Sequence, residues 1–97
     1  MGQQFIATTR IGPTEIEHHT VNWAEECDLT DDKIVAAEFD FDNPQLKIQW
    51  ENYTDTDTTL CINANGVAPG KYFAGHTVYL ESGRKLRRTI LVRVVQR

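Results

Sequence analysis

The chain has 97 residues, 40% of them hydrophobic and 25% charged, with a formal net charge of -4. That is enough chain for one domain, which at this size buries about 60–65% of its unfolded surface. No apolar run approaches the roughly 18 residues of a membrane-spanning helix, and the start MGQQFIATTRIG lacks the basic-then-apolar layout of a secretory leader, so synthesis in the cytoplasm and no membrane contact are expected.

Turn residues recur at short intervals: Gly12-Pro13, Asp31-Asp32, Asn43-Pro44, Asp55-Thr56-Asp57, Asn65-Gly66, Pro69-Gly70 and Ser82-Gly83. Between them lie short segments rich in β-branched and aromatic residues, the spacing of a sandwich or barrel. Gln4 to Thr9 is expected as a first strand at a sheet edge. Glu15 to Ala24 is the second, with Ile16, Val21 and Trp23 on its apolar side. Ile16 and Val21 differ in parity, which predicts a bulge near His18-His19. Lys33 to Phe41 is the third, with Val35, Ala37, Phe39 and Phe41 on one face and Ile34 and Ala36 on the other. Gln45 to Tyr53 alternates, so Leu46, Ile48 and Trp50 are expected inside. Thr58 to Ala64 follows, with Leu60, Ile62 and Ala64 inward and Cys61 on the opposite face.

The stretch from Lys71 to Arg97 reads as one long hairpin with Gly83 at its tip, where a tight turn needs positive φ. Tyr72, Ala74, His76, Val78 and Leu80 form an apolar row, matched on the return strand by Leu86, Arg88, Ile90, Val92 and Val94. Arg88 can lay its stem on the core edge and reach water with its head. The other row of the return strand carries Lys85, Arg87 and Arg93. The fold class is therefore all-β, an immunoglobulin-like β-sandwich of about seven antiparallel strands forming a single domain over residues 1–97.

No residue pattern carries catalysis, a metal or a cofactor. The Asp28/Asp31/Asp32, Asp40/Asp42 and Asp55/Asp57 groups do not complete a calcium loop and read as turn-capping acids. His18 and His19 are adjacent and point to opposite faces of a strand, so they cannot chelate together. His76 falls in an apolar row and reads as a packed, hydrogen-bonded side chain. Cys27 and Cys61 share no metal-binding spacing and read as two reduced thiols.

Charge is unevenly spread. Residues 1–57 hold 13 acids against 3 bases, and residues 58–97 hold Glu81 against 7 bases. Arg84, Lys85, Arg87, Arg93 and Arg97 thus form a candidate protein-docking surface. Nucleic acid is disfavoured as its partner by the acidic pI of about 5.2 and by the lack of aromatics interleaved on the basic row. An acidic patch on another subunit suits it better, and opposite patches on identical copies favour head-to-tail contacts.

One set of motifs runs in order along about three quarters of the chain. It comprises VNW at Val21–Trp23, D-x-I at Asp32–Ile34, Phe39, Thr58-Thr59, G-V-A-P-G-K-Y at Gly66–Tyr72, S-G-R at Ser82–Arg84, Arg88, and I-L-V-R-V at Ile90–Val94. In these the chain resembles a family of small phage proteins described as fiber–tail adaptors or Ig-like tail proteins. The acidic segment Ala37–Asn43 departs from the Ser/Thr-rich strand of that pattern. The resemblance implies a non-enzymatic virion structural protein of a tailed phage or prophage, bridging tail or head–tail components. Its partners would be other virion proteins, with several copies in a symmetric assembly. A capsid-decoration protein is a close variant. A carbohydrate- or receptor-binding module is the alternative of a different class, with Trp50, Tyr53 or Tyr72 as stacking platforms.

Overall fold

The computed structural model describes residues 6–95 and contains, among them, seven strands and one helical turn. The strands are β1 (Ala7–Ile11), β2 (Ile16–Asn22), β3 (Ile34–Phe41), β4 (Lys47–Tyr53), β5 (Asp57–Asn63), β6 (Gly70–Leu80) and β7 (Lys85–Val94), and the helical turn is α1 (Trp23–Glu26). They form a four-stranded sheet in the order β1-β7-β6-β3 and a three-stranded sheet in the order β2-β5-β4. One apolar core of residues from both sheets lies between them, including Ile11, Val21, Trp23, Ile34, Leu60, Ile62, Val78, Ile90 and Val92. This is the expected β-sandwich. Strands two, five and four against three, six and seven reproduce the B-E-D and C-F-G sheets of an immunoglobulin domain, with the first strand joined to the second of these sheets.

The strands are not all antiparallel. β1 runs parallel to β7, pairing Ala7 with Ile90 through Ile11 with Val94. No tight turn links these two strands, so nothing local forces them to run in opposite directions. The first strand does lie at a sheet edge; Gln4 and Phe5 fall outside the described residues.

The hairpin agrees with its alternation. Tyr72, Ala74, His76, Val78 and Leu80 are all buried, as are Ile90, Val92 and Val94, and Gly83 has φ 96°. Tyr72 also fastens the turn that precedes β6. Its hydroxyl donates to the Ala68 carbonyl at 2.6 Å, the arrangement known as a tyrosine corner in immunoglobulin-like sandwiches.

Strand parity elsewhere departs from expectation in three places. β2 pairs with β5 without interruption from Ile16 to Asn22, so the bulge expected near His18-His19 is absent. The parity conflict is settled by leaving Ile16 exposed at the strand end. The chain then leaves β2 before Ala24. Asn22 caps α1 by accepting from Ala24 N–H at 3.1 Å, and Trp23 enters the core from that corner. A bulge occurs instead in β3, where the register shifts between Ile34 and Ala36. It turns Val35 outward and puts Ile34 on the same core-facing side as Ala37, Phe39 and Phe41. A second shift, between Ile48 and Trp50, pairs Trp50 with Cys61 on the outer face, so Trp50 is 48% exposed rather than inside. Ile48 keeps the inward parity, but its strand is a sheet edge with little above it, and the side chain stays exposed.

Candidate docking face

Apart from Arg88 on the inner row and Arg84 in the turn, the basic residues of the hairpin lie on the outer face of the four-stranded sheet, and the structure divides these cations into two groups. Towards the hairpin tip they are held by acids of the same chain. Arg84 Nη2 donates to Asp32 Oδ2 at 3.1 Å and to the Asp28 carbonyl at 2.6 Å. Ser82 Oγ and its backbone N–H also donate to Asp32, and the Asp32 side chain is only 5% exposed. These donors, the Ser82 hydroxyl first, hold the Asp32 carboxyl down to about 2. Lys85 sits with Nζ 5.4 Å from the Tyr79 ring centre, and the Tyr79 hydroxyl donates to Glu38.

Arg87 crosses the sheet. It lies on β7, yet Nη1 and Nη2 bond both oxygens of Asp40 on β3, at 2.6 and 2.9 Å. The strand between them contributes Gly75, over which the guanidinium lies. The Arg87 hydrogen bonds lower the Asp40 pKa. Arg88, on the inner row, packs its guanidinium 5.6 Å from the Trp23 ring centre and donates to Glu26 at 3.2 Å, as its place in the apolar row requires.

Arg93 is different. Its register partners are Lys71 on β6 and Arg10 on β1, so three cations lie side by side across three adjacent strands. Among the described residues none of the three forms an ion pair. Asp42, at the end of β3, turns its carboxylate to the Phe73 backbone N–H at 2.8 Å. Directly opposed like charges on a sheet destabilise it, so this row is a place where an anion is favoured. In the adjoining row Thr8 is exposed, Phe73 half-buried and Leu91 buried, so little apolar surface lies beside the cations.

Of the sequence-derived docking residues, then, Arg84 and Arg87 are bound within the chain, Lys85 rests on Tyr79, Arg93 is free, and Arg97 lies outside the described residues. Lys71 and Arg10 were missed. The short turn at 81–84, centred on Ser82, pairs Lys71 with Arg93, so that partner could have been found. Arg10 could not, because its strand joins β7 through a parallel, non-local pairing.

The other face of the molecule holds the remaining polar chemistry. His18 and Trp50 stack with centroids 6.2 Å apart, on either side of Cys61 in the register, and leave Cys61 5% exposed. Burial, then Glu17, pushes the Cys61 thiol up. Both cysteines are free thiols. Tyr53 faces the opposite side of β4 from Trp50, with its hydroxyl on the Val35 carbonyl at 2.9 Å, and Tyr72 is in the core. The three aromatics therefore do not form one stacking surface.

Inside the sandwich, Trp23 Nε1 donates to Thr58 Oγ1 at 2.8 Å, and Thr58 lies 2.9 Å from His76 Nδ1. The Thr58 hydroxyl, with one proton and two lone pairs, can serve Trp23 as acceptor and share one hydrogen bond with His76 Nδ1, while His76 Nε2 has no partner among the described residues. Phe39 and His19 meet the His76 ring edge-on at 5.0 and 6.3 Å. Burial, helped by His19, pushes the His76 pKa down to about 3. Compared with known protein families and with curated proteins, the chain matches none.

Proposed function

We propose that this chain is a non-enzymatic structural protein of a tailed-phage or prophage virion, bridging tail or head–tail components in the manner of a fiber–tail adaptor. The row Arg10–Arg93–Lys71 carries the reading, because it offers a neighbouring protein three unneutralised cations on a rigid sheet face. The residues behind the phage resemblance support it with fastening roles. Gly66 to Tyr72 form the corner held by the Tyr72 hydroxyl, and Ser82 to Arg84 form the tip locked onto Asp32. Trp23 from VNW and Thr58 from the Thr-Thr pair join in the buried hydrogen-bond chain.

The test is mass spectrometry of purified particles from the phage or induced prophage that encodes the chain, with tails and filled heads separated. Stoichiometric recovery in the tail fraction is the expected result. Recovery in heads alone makes it a capsid-decoration protein, and absence from both fractions overturns the reading.

A further inference from the structure

The two ends of the sandwich differ in unpaired charge, cations predominating at one, where Asp42 is the acid beside them, and acids at the other. Arg10, Lys71 and Arg93 stand near the end formed by Ile11, Gly70 and Val94. The other end is built from α1, the turn at 28–33 and the turn at 54–57. Backbone bonds join these pieces: Trp23 N–H donates to Thr56 at 2.8 Å, and Ile34 N–H donates to Asp55 at 3.0 Å. This end brings together Glu25, Asp31 and Asp55, all exposed, with Asp57 half-buried beside them. Among the described residues none of these four forms an ion pair. The cations of the same end, Lys33, Arg84 and Arg88, are already engaged with Glu81, Asp32 and Glu26.

Distance keeps the two charges apart. From Lys71 to Leu80 the β6 strand covers nine steps, about 30 Å at 3.3 Å per residue. That is roughly three Debye lengths at 0.1 M salt. The acidic end of one molecule therefore cannot neutralise its own basic row, whereas the acidic end of a second copy can.

We infer that copies of this chain associate head to tail, the Arg10–Arg93–Lys71 row of one receiving the Glu25/Asp55 end of the next. Such a contact joins two different patches, so it propagates into a ring if the rotation closes and a filament if it does not. Half-buried Phe73 beside the row adds a small apolar contact, and the charges set orientation and encounter rate more than affinity. The inference deepens the docking reading above and rests on it, but it does not require the neighbour to be a phage protein.

Capping variants test it by sedimentation velocity. R10Q/K71Q/R93Q removes the charge of the basic end and keeps the acidic one. Glu25→Gln with Asp55→Asn does the reverse, and neither creates a new patch that the other could bind. Each variant alone should remain monomeric, and an equimolar mixture should double in mass and stop there, as a capped pair. The wild type should grow in mass with concentration at about 10 mM salt and revert to monomer near 1 M, where the Debye length falls to about 3 Å. Arg93→Glu alone, with circular dichroism to show folding, serves if the triple variant does not fold, and should lose most of the association. A wild type that stays monomeric at about 10 mM salt overturns the inference, as does a mixture that stays monomeric. So does salt-sensitive binding of a DNA duplex to the row in a protein that does not self-associate. Absence from phage particles would remove the virion assignment and leave a capped pair standing.

Discussion

Arg87 and Asp40 are bonded through both carboxylate oxygens although a whole strand separates them. The contact depends on Gly75, because a Cβ there would collide with the guanidinium. The neighbour that would have to move is the end of a flexible side chain, so Gly75→Ala should fold but lose the ion pair. Both partners are about half exposed, which limits their coupling to roughly 0.5–1 kcal/mol. A double-mutant cycle of Arg87→Ala and Asp40→Asn in urea should give that coupling in the wild type and almost none on a Gly75→Ala background. Equal coupling in both backgrounds would show that the glycine is irrelevant.

The tyrosine corner gives a cleaner measurement. Tyr72→Phe removes one hydroxyl from a side chain that is 8% exposed and leaves the Ala68 carbonyl without that donor. The expected loss is about 1 kcal/mol. It should appear as a lower urea midpoint with an unchanged slope, because the ring still packs and the fold is the same. A midpoint that does not move would mean that the hydroxyl fastens nothing.

How far the fold could be read from the chain depended on how local each determinant was. The hairpin rows were legible because β6 and β7 are sequence neighbours joined by a short turn, closed by Leu80 N–H on the Arg84 carbonyl, that fixes their register. Trp50 was misplaced because a bulge at Gln49 reverses parity without any signature in composition. The same holds for Val35 in β3. Net charge did not show which of the hairpin's cations are already paired within the chain. Arg84 and Arg87 looked free because their acids lie in the turn and strand of the third segment, 52 and 47 residues earlier in the chain. Lys71 and Arg10, which complete the free row, come from two further strands.

Trp50 and His18 shield a thiol on the outer face of the three-stranded sheet. Cys61 has no cover from the core on that side, so its 5% exposure depends on the two rings beside it. Trp50→Ala should therefore accelerate alkylation of Cys61 several-fold while costing little stability, since nearly half the indole is already in water. Cys27, distant in the fold and half-buried near α1, is the internal control and should alkylate at an unchanged rate. Acceleration at both cysteines would indicate general loosening instead.

His76 makes the core sensitive to acid. Its pKa is pushed down to about 3 by burial, with His19 and Arg87 acting in the same direction and Asp40 opposing them. In the unfolded chain the ring titrates near 6.5. Between those values the unfolded state takes up a proton that the folded state refuses, so stability falls as pH drops from about 6.5 towards about 3. The limiting slope for one such group is about 1.4 kcal/mol per pH unit. His19 is also lowered, first by burial and then by His18, and adds to the same trend. His76→Leu removes the titrating ring and costs Thr58 a hydrogen-bond partner, so the variant should be less stable than the wild type at pH 7. The gap should then narrow as the pH falls, because only the wild type carries the acid penalty of His76. Urea unfolding at pH 7, 6, 5 and 4 compares the two curves, and parallel curves across that range would mean that His76 accepts its proton in the folded protein.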